Sequence, residues 1–220
     1  MVILHVSELL SMSSRQVEIP PTQYVSNLGA GEHGILFYSS KEEMRNIHFA
    51  FVKSGLENNW AVVYAAPSSY LEDLRKEMQN YGIDTKRYEE DGSLIIQKGE
   101  EIYKDPVKPD LEFLKMQSND VINYFVNKGK RGLRIATDLT SFFLPHGLYI
   151  SLFDVEDLFK PRTDLPLTLL CAYDAAIIPA AKDLDITFFY KKINKEWQQF
   201  VDAHSFAIYV SKNKSITFTI

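Results

Sequence analysis

From Gly31 onward, short apolar runs alternate with helix-length amphipathic segments, and this alternation most constrains what the chain can fold into. Runs such as Ile35 to Tyr38 and Ala61 to Ala65 are too short for core helices and too uniformly apolar for strands with one wet face. They read as strands buried on both faces, and a helix between two of them is the crossover that a parallel sheet requires. Between these two runs, Lys41 to about Glu57 carries Met44, Ile47, Phe51 and Leu56 at helical spacing, and it opens on a capping box of Ser40 and Glu43. The same reading predicts strands at Ser93 to Gln97, Leu133 to Thr137 and Leu167 to Tyr173. It predicts helices at Ser68 to Tyr81, from an Asp110 cap to about Asn127, at Tyr149 to Phe159 and at about Asp185 to Ala203. The tail from Phe206 reads as a terminal β-hairpin.

The first thirty residues read as an N-terminal extension, with a short helix or strand at Val2 to Ser11, the breaker Pro20-Pro21 and a turn-rich stretch from Ser26 to Gly31. It can pack on the domain or mediate association, and composition does not decide between them. Residues 31 to 220 then form a single α/β domain, a length that suits one core better than two. Charge narrows the partners. With 24 Lys+Arg against 29 Asp+Glu mixed along the chain, there is no basic block for a nucleic-acid backbone, so direct nucleic-acid binding is not expected. The single cysteine, Cys171, cannot form an internal disulfide and fits a reducing cytoplasm. Met1 to Leu10 is too short to span a membrane and lacks the basic start of a signal peptide, so no membrane association is expected.

The turn after the first strand reads Tyr38-Ser39-Ser40-Lys41-Glu42-Glu43. A nucleotide-binding βαβ unit would place a GxxxxGK[ST] phosphate loop there. This turn has no glycine for close backbone approach, and two carboxylates at the helix start complement its dipole and repel phosphate. No cofactor is called for. Ligands of open α/β sheets bind beyond the carboxyl ends of the strands, which here display Tyr38 to Ser40, Pro67, Ser68, Asp138 to Ser141 and Asp174. Asp138, ending an apolar strand, has the outline of a magnesium-binding Walker B acid, although a buried strand often ends on a polar cap. Arg134 lies two alternations before it on the same sheet face, where a charge requires an acid or an anionic ligand group.

Other polar candidates are less specific. His33 stands at the opposite end of its strand from Tyr38, and reads first as a structural hydrogen bonder. Cys171 lies within an apolar strand and reads as core. No two potential ligands among Cys171 and the five histidines have zinc-ligand spacing, so no metal is expected from the sequence. His146 sits in a turn with no nucleophile elbow to serve. Phe142 and Phe143, with Tyr149, could close an apolar pocket over the strand ends or pack the following helix.

Taken together, Gly31-Glu32-His33-Gly34-Ile35-Leu36-Phe37-Tyr38, Leu133-Arg134 with Asp138, Val155-Glu156, Leu170-Cys171-Ala172-Tyr173-Asp174 and His204 resemble the MEDS family, a sensory domain named for methanogens, methylotrophs and a dichloromethane-responsive repressor. The resemblance spans about residues 31 to 210. It implies a three-layer fold related to the KaiC and RecA-like ATPase core, with a mostly parallel sheet, helices on both faces and no regular Walker A loop. It also implies a sensory role, proposed for small hydrocarbon-type ligands. Its motif positions match His33, Tyr38, Arg134, Asp138, Glu156, Cys171, Tyr173, Asp174 and His204. Such domains usually accompany a DNA-binding or signalling domain, and none is evident in this chain. Three functions follow: a non-catalytic sensory module acting through a protein partner or homo-oligomer, a degenerate nucleotide binder or weak ATPase using Asp138 with Lys41 or Arg134, and an interaction scaffold. The candidate ligand set is His33, Tyr38, Ser39, Ser40, Arg134, Asp138, Phe142, Phe143, Glu156, Tyr173 and Asp174.

Overall fold

The computed structural model describes residues 15–102, 105, 107–138, 143, 147–161, 164–175, 200, 202–212 and 214–220. The elements expected at Val2 to Ser11 and, almost wholly, at Asp185 to Ala203 lie outside them. Among the described residues the strands form one eight-stranded sheet, in the order β1-β8-β7-β2-β6-β5-β3-β4. Six adjacent strands are parallel: β7 (Phe206–Ser211), β2 (His33–Tyr38), β6 (Leu167–Asp174), β5 (Leu133–Asp138), β3 (Ala61–Ala66) and β4 (Leu94–Lys98). β8 (Lys214–Thr219) returns antiparallel on β7 as the C-terminal hairpin, and β1 (Arg15–Val17) closes its outer edge.

Alternation along the strands divides the interior into two cores. On one face Leu36, Tyr38, Val62, Tyr64, Ala136, Leu170 and Ile208 meet α1 (Pro21–Ser26), α2 (Lys41–Glu57) and α3 (Leu71–Asn80). On the other, Ile35, Phe37, Val63, Leu169, Cys171, Tyr173 and Tyr209 meet α6 (Leu111–Asn127) and α7 (Tyr149–Leu158). The central strands β2 and β3 are buried at every position. That is why they read as unbroken apolar runs rather than alternating ones. The sequence patterns place α2 and α6 to the residue at their caps: Ser40 and Asp110 each accept a backbone N–H from the first turn.

Where the structure differs, local chemistry explains it. The segment expected as one helix from Ser68 to Tyr81 opens with a 3-10 turn, Ser68–Tyr70, before α3. α4 (Thr85–Glu90) starts on an Asp84 cap, and the short α5 (Gly99–Ile102) follows β4; both are too short for a periodic apolar signal. Pro21, read as a breaker, occupies the first turn of α1, where its missing N–H is harmless and its fixed φ suits the helix.

The described part of the N-terminal extension packs on the domain. Val25 and Leu28 are buried in the α2-side core, Tyr24 packs edge-on against Phe206 at 5.1 Å, and the Thr168 hydroxyl donates to the Gly29 carbonyl. Phe206 in turn lies over Gly34. A Cβ on Gly34 would stand 2.0 Å from its ring, closer than any contact allows. Gly34→Ala should therefore destabilise the fold by about 1–3 kcal/mol through overpacking, read as a lower urea midpoint. Adding Phe206→Leu should restore part of the loss, and a Gly34→Ala midpoint equal to wild type would show that the ring moves freely.

Candidate functional site

At the carboxyl ends of the parallel strands, β2 passes into α2 through only Ser39 and Ser40. The Tyr38 hydroxyl donates to Asp138 Oδ2 at 3.3 Å, joining the ends of β2 and β5. Tyr38 is in register with Asp174 at the end of β6, and alternation puts Tyr38, Asp138 and Asp174 on the α2 face. The turn itself is already engaged. The Ser39 N–H donates to the Val210 carbonyl at 3.0 Å, and Ser39 Oγ lies 3.5 Å from the Tyr209 hydroxyl. Ser40 Oγ accepts the Glu43 N–H at 3.4 Å, and Glu42 and Glu43 occupy the first turn of α2. Lys41 turns outward over the Tyr70 ring at 5.0 Å. The Ser39 and Glu43 N–H groups are thus taken, and the carboxylates of Glu42 and Glu43 stand in the first turn, where they complement the helix dipole.

Beneath this surface the buried His48 Nδ1 and Tyr64 hydroxyl lie 2.8 Å apart. Burial, with the Arg45 charge adding to it, pulls the His48 imidazole down to about 3. Burial raises the Tyr64 phenol, with Arg45 opposing and Asp138 adding. Arg45 pairs with Glu77 at 2.7 Å across an open groove of about 610 Å³ between α2 and α3, which Phe49, Tyr70 and Tyr81 also line.

Arg134 plays a different part from the one its position suggests. It is buried, 2% exposed, and its guanidinium donates to the carbonyls of Phe51 (2.9 Å) and Leu28 (2.7 Å) and to the Ser54 hydroxyl (2.8 Å). It also stacks over Phe51 and Trp60 at 4.8 and 5.4 Å. Backbone carbonyls stand where an acid or anionic ligand was expected. Gly55 leaves the room, since a Cβ there would lie 2.8 Å from Arg134 Cδ. Burial lowers this guanidinium to about 10, with Arg131 adding and Glu32 opposing. Arg134 thus ties β5 to α2 and to the N-terminal segment, well away from the Tyr38–Asp138 pair.

On the opposite sheet face a second polar group is enclosed. His33, Glu156, Cys171, Tyr173 and His204 are each no more than 3% exposed. Glu156 Oε2 lies 3.0 Å from His33 Nε2 and 3.3 Å from His204 Nε2, while Oε1 accepts the Tyr173 hydroxyl. His33 Nε2 is also 3.4 Å from Cys171 Sγ. Burial alone would raise the Glu156 carboxyl, but hydrogen bonding and charge from the adjoining His33 imidazole act against it, and the carboxyl lies below the usual carboxylate range. Burial lowers His204 to about 4, and it pushes the Cys171 thiol well above its ordinary value, with Glu156 adding to that rise.

The residues expected to act together therefore separate. Tyr38, Ser39, Ser40, Asp138 and Asp174 gather at the strand ends; His33, Glu156 and Tyr173 join Cys171 and His204 on the other face; Arg134 stands apart. Phe143 is wholly buried in the α7-side core, which is the packing alternative for that aromatic loop. Phe142 and His146 lie outside the described residues. Residue-by-residue reading missed the convergence of His33, Glu156 and His204, because positions so far apart share no motif spacing. It also missed the His48–Tyr64 pair; a histidine on the apolar face of α2, facing an all-apolar strand with one tyrosine, was the available signal.

A mostly parallel sheet between two helical layers, with a strand-turn-helix where a phosphate loop would sit, defines a RecA-like α/β class. The chain is similar in structure to a KaiC-like protein of the hyperthermophilic archaeon Pyrococcus horikoshii OT3, at a TM-score of 0.54 and 14% identity, covering 93% of this chain and 86% of that one. A second Pyrococcus horikoshii OT3 protein is similar at a TM-score of 0.55 and 9% identity, covering 90% and 91%. At such identities the likeness is one of fold. No curated protein matches the chain in sequence. The MEDS family, described as MEthanogen/methylotroph, DcmR Sensory domain, matches residues 32–188, well over half of the chain, and the chain belongs to that family.

The depressed His48 has a measurable consequence. The unfolded chain takes up this proton near pH 6.5, whereas the native state resists it until about pH 3, so stability falls as pH drops through that window. The slope attributable to one such group is about 1.4 kcal/mol per pH unit. His48→Leu should flatten the acid limb of a urea-stability profile by about that amount. An identical slope in wild type and variant would mean that His48 is solvated.

Proposed function

We propose that this chain is a non-catalytic sensory domain that binds a small, uncharged or weakly polar molecule at the strand carboxyl ends. Tyr38, Ser39, Asp138 and Asp174 would supply the polar contacts, and the change would pass to a partner protein or a second copy. One observation carries the reading. At the position where a RecA-like fold would hold phosphates, the Ser39 N–H is spent on the Val210 carbonyl, Ser40 Oγ caps the Glu43 N–H, and acids occupy the helix start. Membership of a sensory family supports the same direction, and among the described residues no helix is long and apolar enough to cross a membrane.

A second reading has its own support. The fold is shared with KaiC-like proteins, and Asp138 ends an apolar strand as a metal-binding acid would. A degenerate nucleotide site there would be weak, because Lys41 stacks outward on Tyr70.

Thermal-shift titrations separate the two. Mg-ATP up to millimolar concentration should leave the wild-type Tm unchanged, while a panel of short-chain alcohols, amines and halogenated alkanes should contain a compound that raises it saturably. A ligand at 100 times its Kd adds about 2.7 kcal/mol, several degrees for a domain of this size. Asp138→Asn should keep the wild-type Tm and lose that rise. A saturable shift with Mg-ATP would overturn the sensory reading in favour of the nucleotide one.

A further inference from the structure

We infer that His33, Glu156 and His204 form a buried divalent-metal site suited to Zn²⁺, on the sheet face opposite Tyr38, Asp138 and Asp174. Their ligating atoms all lie within 4.8 Å of one another. The two Nε2 atoms converge on the same carboxylate oxygen at 3.0 and 3.3 Å. Tetrahedral zinc, with Zn–N and Zn–O bonds of about 2.0–2.2 Å, spaces adjacent ligand atoms about 3.3–3.6 Å apart, so a modest expansion of this triangle admits the ion.

Hydrogen bonding alone does not satisfy the cluster. His204 Nδ1 lies 2.7 Å from the Phe200 carbonyl, which can only accept, so Nδ1 carries the ring proton. In the neutral ring Nε2 is then a bare lone pair aimed at an ionised carboxylate oxygen 3.3 Å away. It has no hydrogen-bond partner among the described residues, although it is fully buried. Two facing lone pairs in a dry interior repel, and a cation between them turns that repulsion into two bonds. Around His204 and Glu156 the surroundings match those of metal ligands. The Nδ1–H bond to a backbone carbonyl fixes the tautomer that leaves Nε2 free to ligate, and the Tyr173 hydroxyl orients the other Glu156 oxygen. Cys171 Sγ lies 3.4 Å from His33 Nε2, beside the three ligands.

Two histidines and one glutamate with an open position is a donor set that zinc accepts. The three ligands come from the start of β2, from α7, and from just before β7. A bound ion would therefore clamp α7 and the C-terminal hairpin to the centre of the sheet.

Metal analysis of the untagged wild-type chain, purified from zinc-supplemented culture and dialysed free of loose ions, tests this without any mutation. About one zinc per chain is expected, with a Tm that falls by several degrees on chelation and recovers on adding back zinc. His204→Gln and Glu156→Gln, checked for folding by circular dichroism, should each lose the zinc and the zinc-dependent part of the Tm. The inference is overturned if wild-type protein carries less than about a tenth of an equivalent and added zinc leaves its Tm unchanged. It is equally overturned if folded His204→Gln and Glu156→Gln both retain the full zinc content, since the ion would then be held elsewhere.

Discussion

The parallel strands from β7 to β3 are largely buried on both faces, so polar side chains there must find their partners inside the protein. That constraint organises this molecule. On the α2 face it falls on Arg134, whose fork is closed by two carbonyls, a hydroxyl and two aromatic rings. On the α7 face it falls on Glu156, which meets His33 Nε2 and the Tyr173 hydroxyl and also faces the unpartnered Nε2 of His204. Removing one partner from either group would leave a buried charge or dipole exposed to an apolar interior, which is why each doubles as a tie between distant segments.

The two groups do different mechanical work. Arg134 connects β5 with α2 and with the Leu28 carbonyl, so the N-terminal segment is bound into the same core as the central strands. The Glu156 cluster connects β2, α7 and the residue before β7, on the side where α6 and α7 cover the sheet. At the carboxyl ends of β2, β5 and β6, the polar residues Ser39, Asp138 and Asp174 stay exposed or half-buried.

The chain belongs to a family of sensory domains and shares its fold with a KaiC-like protein, and its first strand-turn-helix lacks the GxxxxGK[ST] pattern of a phosphate loop. The departure is electrostatic as much as steric. Ser40 caps α2 with its own oxygen, and Glu42 and Glu43 sit where a phosphate would bring the same charge.

Much of the fold was legible because it depends on near-neighbour patterns. The apolar runs of β2, β3, β5 and β6, the Ser40 and Asp110 caps and the terminal hairpin are all encoded within stretches of a few residues. The absence of a phosphate loop was legible for the same reason. Elements shorter than two helical turns, such as α4 and α5, carry too few residues for a period, and Pro21 read as a breaker because only the following helix reveals it as a first-turn residue. The candidate sites were legible as residues but not as groups. Side-chain alternation placed Arg134 and Asp138 on one face, yet only packing of α2 and the Leu28 segment gave Arg134 its carbonyl partners. His33, Glu156 and His204 lie far apart in the chain, and no local rule brings them together. Parallel pairing of β2 with β6 and β7, and the docking of α7 across them, sets their ring nitrogens on one carboxylate oxygen. Local sequence determined which segments are strands and helices and which chemistry each carries; tertiary structure alone decided which of those groups meet, because contacts between remote segments follow from sheet order and helix docking rather than from spacing.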